Sequence, residues 1–170
     1  MMLTKADQSD LTWIYDLMEQ AFPPQERRTK EGFLQEWQQE AFHLMRLEKG
    51  QGFLAYWDLG QWFYVEHFAT AKEVRGKGLG GEIFGQFLQE AKKPVFFEVE
   101  QPNTQWAKRR IAFYERLGCV LNPYPYLQPP YPGRTEGLAL FWMSYPQKLT
   151  KEEFLSARTQ LYAQVYGQKG

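Results

Sequence analysis

The sequence is poor in the residues that build metal centres and disulfide frameworks. It holds one cysteine, Cys119, and two histidines, His43 and His67. A lone cysteine excludes an internal disulfide framework and fits a reducing cytoplasm. The same scarcity leaves no credible zinc cluster, so no metal site is expected. A surplus of either charge is also missing: Lys plus Arg and Asp plus Glu are 20 each. A dedicated nucleic-acid binder would carry a basic excess, so nucleic acid is not an expected partner. No stretch approaches 18 consecutive apolar residues, and the opening "MMLTKADQSD" has no apolar segment. Neither a membrane span nor a signal peptide is therefore expected. There is no internal repeat and no low-complexity tract.

What is present suits one soluble globular domain over residues 1–170, with 44% apolar residues and 17% aromatics to fill a core. In "SDLTWIYDLMEQAF", Ser9 or Asp10 offers a cap, and Leu11, Ile14, Met18 and Ala21 share a helical face. The prolines of "FPPQERR" break that helix, and "TKEGFLQEWQQ" reads as a second short one. Three strand-like runs follow, "AFHLMRLE", "GFLAYWDL" and "QWFYVEHFAT". Hairpin-sized separators make them an antiparallel meander. Ile83, Phe84, Phe87, Leu88 and Ala91 form the stripe of a helix near 79–92, and "VFFEVE" reads as a buried strand. "NTQWAKRRIAFYERLG" is a helix capped by Asn103 or Thr104 and stopped by Gly118. Prolines 123, 125, 129, 130 and 132 make residues 122–133 read as an irregular loop. "GLALFWMSYP" gives a last strand. A final helix opens with the capping box Thr150-x-x-Glu153 and carries a stripe of Phe154, Ala157, Leu161 and Val165, suited to core or to a homodimer contact. The order of elements describes a mixed α/β domain.

The glycine-rich "EVRGKGLGGEIF" supports two phosphate-binding readings. Gly76, Gly78 and Gly81 spell the dinucleotide fingerprint G-x-G-x-x-G, which requires a strand immediately before it and a parallel βαβ array around it. The polar "AKEVR" and the hairpins upstream do not fit. Arg75, Gly78 and Gly80 spell R-x-x-G-x-G, between a meander and a helix. There, bare amides of a first helical turn, with a forked donor beside them, face an anion.

Three pieces in order resemble the GNAT superfamily of acyl-CoA-dependent N-acetyltransferases. "VRGKGLG" is similar to its R/Q-x-x-G-x-G/A motif, "YVEHFAT" to its pantetheine-pairing strand, and "IAFYERLGC" to its late helix motif. Two departures stand out: Ala107 occupies a position where members often carry Asn, and Cys119 replaces a usual aromatic. The resemblance implies a GNAT-like fold. Its central, mostly antiparallel sheet would have flanking helices and a glycine loop opening the central helix. It further implies acetyl-CoA as co-substrate, held by Phe68, Ala69, Arg75, Gly76, Lys77, Gly78, Leu79 and Gly80.

Attack of an amine on a thioester needs a neutral amine, donors for the carbonyl oxygen and a proton for the thiolate. By the resemblance, Tyr114 is the expected general acid; on the residues alone it equally suits the core face Ala107–Ile111–Tyr114. Glu66 is the expected base, on a face with Tyr64 and Phe68 by period 2 and with His67 opposite. Glu98 and Glu100 are its runners-up, and an ion pair of Glu66 with Arg109 or Arg110 is the structural alternative. The acceptor, a small-molecule or peptide amine, would meet residues 22–28 on one side and the 122–133 loop on the other. Glu26, Tyr126 and Tyr131 are the candidate contacts. A non-catalytic acyl-CoA sensor or an interaction module is the competing reading.

Overall fold

The computed structural model describes residues 2–168. In chain order the elements are β1 (Thr4–Lys5), α1 (Leu11–Ala21), α2 (Lys30–Trp37), β2 (Phe42–Arg46), β3 (Gly52–Asp58) and β4 (Phe63–Thr70). There follow α3 (Leu79–Glu90), β5 (Val95–Glu100), α4 (Gln105–Arg116), β6 (Val120–Gln128), β7 (Leu138–Tyr145) and α5 (Lys151–Gln164). The strands form one sheet in the order β1-β2-β3-β4-β5-β7-β6. Every pair is antiparallel except β4 with β5. No described helix is long and apolar enough to cross a membrane.

Helices cover both faces because each carries an apolar stripe at helical spacing. On one face Ile14 and Met18 of α1, Phe33 of α2 and Phe154, Ala157 and Leu161 of α5 join a core with Trp57, Tyr64, Phe96 and Trp142. The α5 stripe is thus core. On the other face Phe84 and Leu88 of α3 meet Ile111 and Tyr114 of α4 over Leu54, Val65 and Phe97. Thr104 caps α4 and Thr150 caps α5, each hydroxyl accepting from a backbone N–H three residues on. The start of α1 differs from expectation. Asp7 caps a short 3₁₀ turn, and Asp10 accepts from the backbone N–H of Asp7 in return.

The segment 122–133 also differs, for half of it is strand. Asn122 opposes Trp142 and Tyr126 opposes Leu140, so β6 carries two more residues than β7 across that interval. Pro123 and Pro125 occupy this bulge on an edge strand, where a missing N–H breaks no ladder bond. Fully buried Asn122 ties the bulge down. Its amide donates to Val120 O at 3.0 Å and Ser144 Oγ at 2.8 Å, and its Oδ1 accepts from Leu149 N at 2.8 Å. Asn122→Ala is expected to lower stability by about 2–3 kcal/mol, because it strands buried polar partners. A urea titration with an unchanged midpoint would contradict this.

Candidate active site

The parallel pairing of β4 and β5 covers only Phe63–Val95 and Tyr64–Phe96. Beyond it the strands part, while β4 stays paired with β3 through Thr70. The edge of β4 facing the gap therefore lacks strand partners over the family-like "EHFAT". A cleft of about 310 Å³ opens there. Phe84, Phe97, Trp106, Arg110 and Tyr114 wall one side, and Phe22, Glu26, His67, Gln128, Tyr131 and Leu138 the other.

The glycine turn begins α3 at the near end of this gap. Gly78 is the N-cap of α3 at φ 73°, with no side-chain cap, and Gly76 sits at φ 84°. A Cβ at either would meet nothing within 4 Å, so their backbone faces open space. The first N–H groups of the helix are left for an external acceptor. Arg75 is anchored beside them by its Nε–H to Thr70 O at 3.0 Å. Gly81 serves packing instead, since its Cβ would lie 3.4 Å from the Phe113 ring. A 3₁₀ turn, Lys72–Val74, separates β4 from the glycines, unlike a dinucleotide site. The turn and the cleft thus join a helix N-terminus to an unpaired strand edge.

Residues 11–119 match the Acetyltransferase (GNAT) family. The chain belongs to this family. It is 31% identical to a solved structure described as "Putative acetyltransferase from GNAT family from Bacteroides thetaiotaomicron", covering 99% of this chain and 100% of that one at a TM-score of 0.92. It is 26% identical to the Bacillus subtilis (strain 168) protein "Putative acetyltransferase YjbC", over 94% of this chain and 83% of the relative. A Salmonella typhimurium structure, described as yncA "with its cofactor Acetyl-CoA", shares the fold at a TM-score of 0.61 and 16% identity, covering 88% of this chain and 96% of that one.

In this acetyltransferase Tyr114 stands in the cleft wall against Phe97 (ring centroids 4.6 Å apart) and Phe84 (5.3 Å). Burial raises its pKa, against the pull of nearby Arg110. The phenol therefore keeps its proton at neutral pH.

Glu66 corrects the period-2 expectation. Ala55 opposes His67 but Tyr56 opposes Val65, so Glu66 is the extra residue of a β-bulge. The bulge shifts the strand's phase. Phe68 packs on Phe84 in one layer, whereas Glu66 and His67 both lie beside Tyr131 in the other. The Glu66 side chain is 0% exposed although the residue as a whole is partly exposed. What it shows the cleft is backbone. Its carboxylate accepts from Trp57 Nε1 and Tyr131 OH, both at 2.8 Å, and lies 3.4 Å from Arg28 Nε. Arg28, not Arg109 or Arg110, is its ion-pair partner. The same Nε donates to Glu36 at 2.8 Å, and Arg28 Nη2 donates to Val165 O at 2.6 Å. One cation faces two carboxylates. Burial and the charge of Glu66 push the pKa of Glu36 well above the usual range. Burial pushes Glu66 up too, but Arg28, with further help from Glu36, His67 and Trp57, holds it at about 2. A carboxylate so covered and so weakly basic is a poor proton acceptor.

Glu98 has the opposite environment. Like Glu66 it lines the cleft and is half-buried as a residue; what differs is the set of groups around its carboxylate. Its carboxylate accepts from the hydroxyls of Tyr64, Tyr126 and Tyr166 and from Gln128 Nε2. Burial raises its pKa, and the phenols and amide offset this only in part. Tyr126 is 5% exposed, stands behind Glu98 and is not part of the cleft wall, contrary to its expected contact with acceptor. Tyr131 is a wall residue, but its hydroxyl is engaged by Glu66. Glu26 sits exposed at the mouth, with a pKa raised by partial burial and then by Glu100. His67 is core, as expected, and its Nε2–H donates to Glu26 O at 2.8 Å. Arg28, Glu36 and Tyr166 were not anticipated from the sequence. Glu36 carried a signal, sharing a helical face with Phe33.

Glu66→Gln is expected to cost about 3–5 kcal/mol at pH 7, the scale of a broken buried pair. Its effect should shrink in acid. The folded pKa of about 2 lies below the ordinary 4.5, so the stabilisation is complete above 4.5 and is lost as pH falls toward 2. Urea titrations of both proteins at pH 7 and pH 3 check the sign; an equal difference at both would refute it.

Proposed function

We propose that this acetyltransferase transfers the acetyl group of acetyl-CoA to an amine of a small molecule or peptide, by direct attack of the amine on the thioester. One juxtaposition supports this most: an uncapped helix N-terminus leads into a gap between parting strands, and a protonated tyrosine stands in the gap. The donor set fits the co-substrate. Bare amides at Gly78, Leu79 and Gly80, with Gly76, Lys77 and Arg75 around them, suit a pyrophosphate. The free edge of β4 at Phe68 and Ala69 suits the amide-bearing pantetheine arm, as in strand addition. Acetyl-CoA supplies an acetyl group already activated as a thioester.

The remaining work falls to side chains and backbone of the cleft. Backbone N–H groups near the Glu66 bulge are assigned to the carbonyl oxygen as it gains charge. Tyr114 donates its hydroxyl proton to the departing sulfur. Glu98 takes the place first given to Glu66 and receives the proton released by the amine, because among the described residues its carboxylate has no cationic partner to drain its basicity. Glu66 holds the bulge in shape. Glu26, at the mouth, meets the positive charge of an incoming acceptor. The single thiol suits a cytoplasmic setting.

Acetyl-CoA at 100 times its dissociation constant should stabilise the protein by about 2.7 kcal/mol, seen as a raised melting temperature. NAD should give no shift. Gly78→Val should abolish the acetyl-CoA shift, since it strains a positive-φ position and fills the space over the turn. A shift with NAD alone would sink the reading.

Tyr114→Phe keeps the ring and removes the hydroxyl. Turnover should fall roughly 10²-fold while acetyl-CoA affinity, measured by calorimetry, persists. Undiminished turnover would move the proton donor elsewhere. Tight acetyl-CoA binding without turnover on any amine in the wild type would favour a sensor.

A further inference from the structure

Tyr166 lies past the end of α5 and outside the stretch that matches the family, yet its hydroxyl is 3.0 Å from each oxygen of Glu98 in the cleft wall. We propose that Tyr166 is a positioning residue of the acetyl-transfer reaction, fixing Glu98 as a carboxylate that faces the cleft. The proposal rests on the reading of Glu98 as proton acceptor.

Proton counting supports it. Tyr64 and Tyr126 each give their one hydroxyl hydrogen to Glu98. Gln128 Nε2 donates to Glu98 and also, at 3.0 Å, to the hydroxyl oxygen of Tyr166. The Tyr166 oxygen accepts from Gln128, and its own hydrogen has both carboxylate oxygens at 3.0 Å and the Tyr64 oxygen, whose hydrogen goes to Glu98, at 3.1 Å; the charged carboxylate is the stronger acceptor. The donors come from β4, β6 and the tail beyond α5. Tyr131 and Tyr162 also face the cluster, Glu66 acts on Tyr64 and Tyr166, Arg110 of α4 shares the cleft wall, and Trp142 of β7 stands opposite Glu98 in the sheet. Among the described residues no cation forms an ion pair with Glu98. Neutral donors stabilise the charged form of Glu98 and lower its pKa, but here by less than burial raises it, whereas Arg28 outweighs burial at Glu66.

The tail is also held in place. Val165 O accepts from Arg28, the guanidinium that orders Glu66, and the Tyr166 ring packs on Tyr131 with centroids 5.4 Å apart. Tyr166 thus approaches Glu98 from a backbone clamped one residue earlier. A loose terminal segment would make no such bridge.

Tyr166→Phe preserves the ring and its packing and removes one donor to the charged form of Glu98. The acidic limb of the pH profile of kcat should move up by about one unit. The plateau of kcat should fall about five- to tenfold as the carboxylate gains freedom. The Michaelis constant for acetyl-CoA should stay within about twofold, because the glycine turn is untouched. Tyr162→Phe is the control: its hydroxyl, on the last turn of α5, donates to Leu127 O at 2.6 Å and makes no bond to Glu98. It should leave limb and plateau unmoved. An unmoved limb in Tyr166→Phe, or the same movement in Tyr162→Phe, overturns the proposal. Glu98→Gln separates the two readings. Loss of the limb there with no movement in Tyr166→Phe overturns the positioning role alone. Wild-type turnover in Glu98→Gln overturns both.

Discussion

The Arg28 guanidinium meets Glu36 from α2, Glu66 at the β4 bulge and the carbonyl of Val165 beyond α5. Charges buried this deeply are costly unless each is paired and hydrogen-bonded, and removing one partner is worse than removing all. The segment after α1, the second helix, the bulged strand and the tail are therefore stable only together. The face of Arg28 is covered by the Tyr131 ring at 4.8 Å, which draws in the segment after β6 as well. Much of the acceptor side of the cleft thus hangs on one cation, and the bulge that exposes β4 backbone is held open by a charge rather than by a turn.

Glu66 within this arrangement and Glu98 in the same cleft have opposite surroundings. Glu66 has a cation and two donors and is held at about 2; Glu98 has phenols and an amide and is raised. Environments that push two similar groups apart are how one cleft divides structural and chemical labour. The first group gives up basicity in exchange for geometry. The second keeps its basicity and depends on neighbours to stay ionised.

Much of the fold was legible because the apolar periods are clean. The meander, the α3 and α5 stripes, the caps Thr104 and Thr150 and the glycine turn all follow from local pattern. What failed was non-local. The inserted residue at Glu66 reverses which side chains face which layer, and only the register against β3 reveals it. Pro123 and Pro125 argue against strand unless the strand is an edge with a bulge, a fact set by β7. The partner of Glu66 lies 38 positions away in a segment read as cleft wall, whereas the expected partners, Arg109 and Arg110, sit on α4. A glutamate on the Phe33 face of α2 was the one local hint that a buried cation existed. Tyr166 carried no hint at all, since its target is reached only after the sheet assembles.

The rims of the sheet carry a further consequence. On one side β1 is two residues long; on the other β6 bows outward over two extra residues and presents prolines that lack an N–H. A straight row of unpaired amides is the template on which foreign strands polymerise. Neither rim offers one, even though Leu127 on β6 is 59% exposed. The proline-rich stretch that reads as an irregular loop in the sequence is, in the folded chain, a guard against edge-to-edge aggregation.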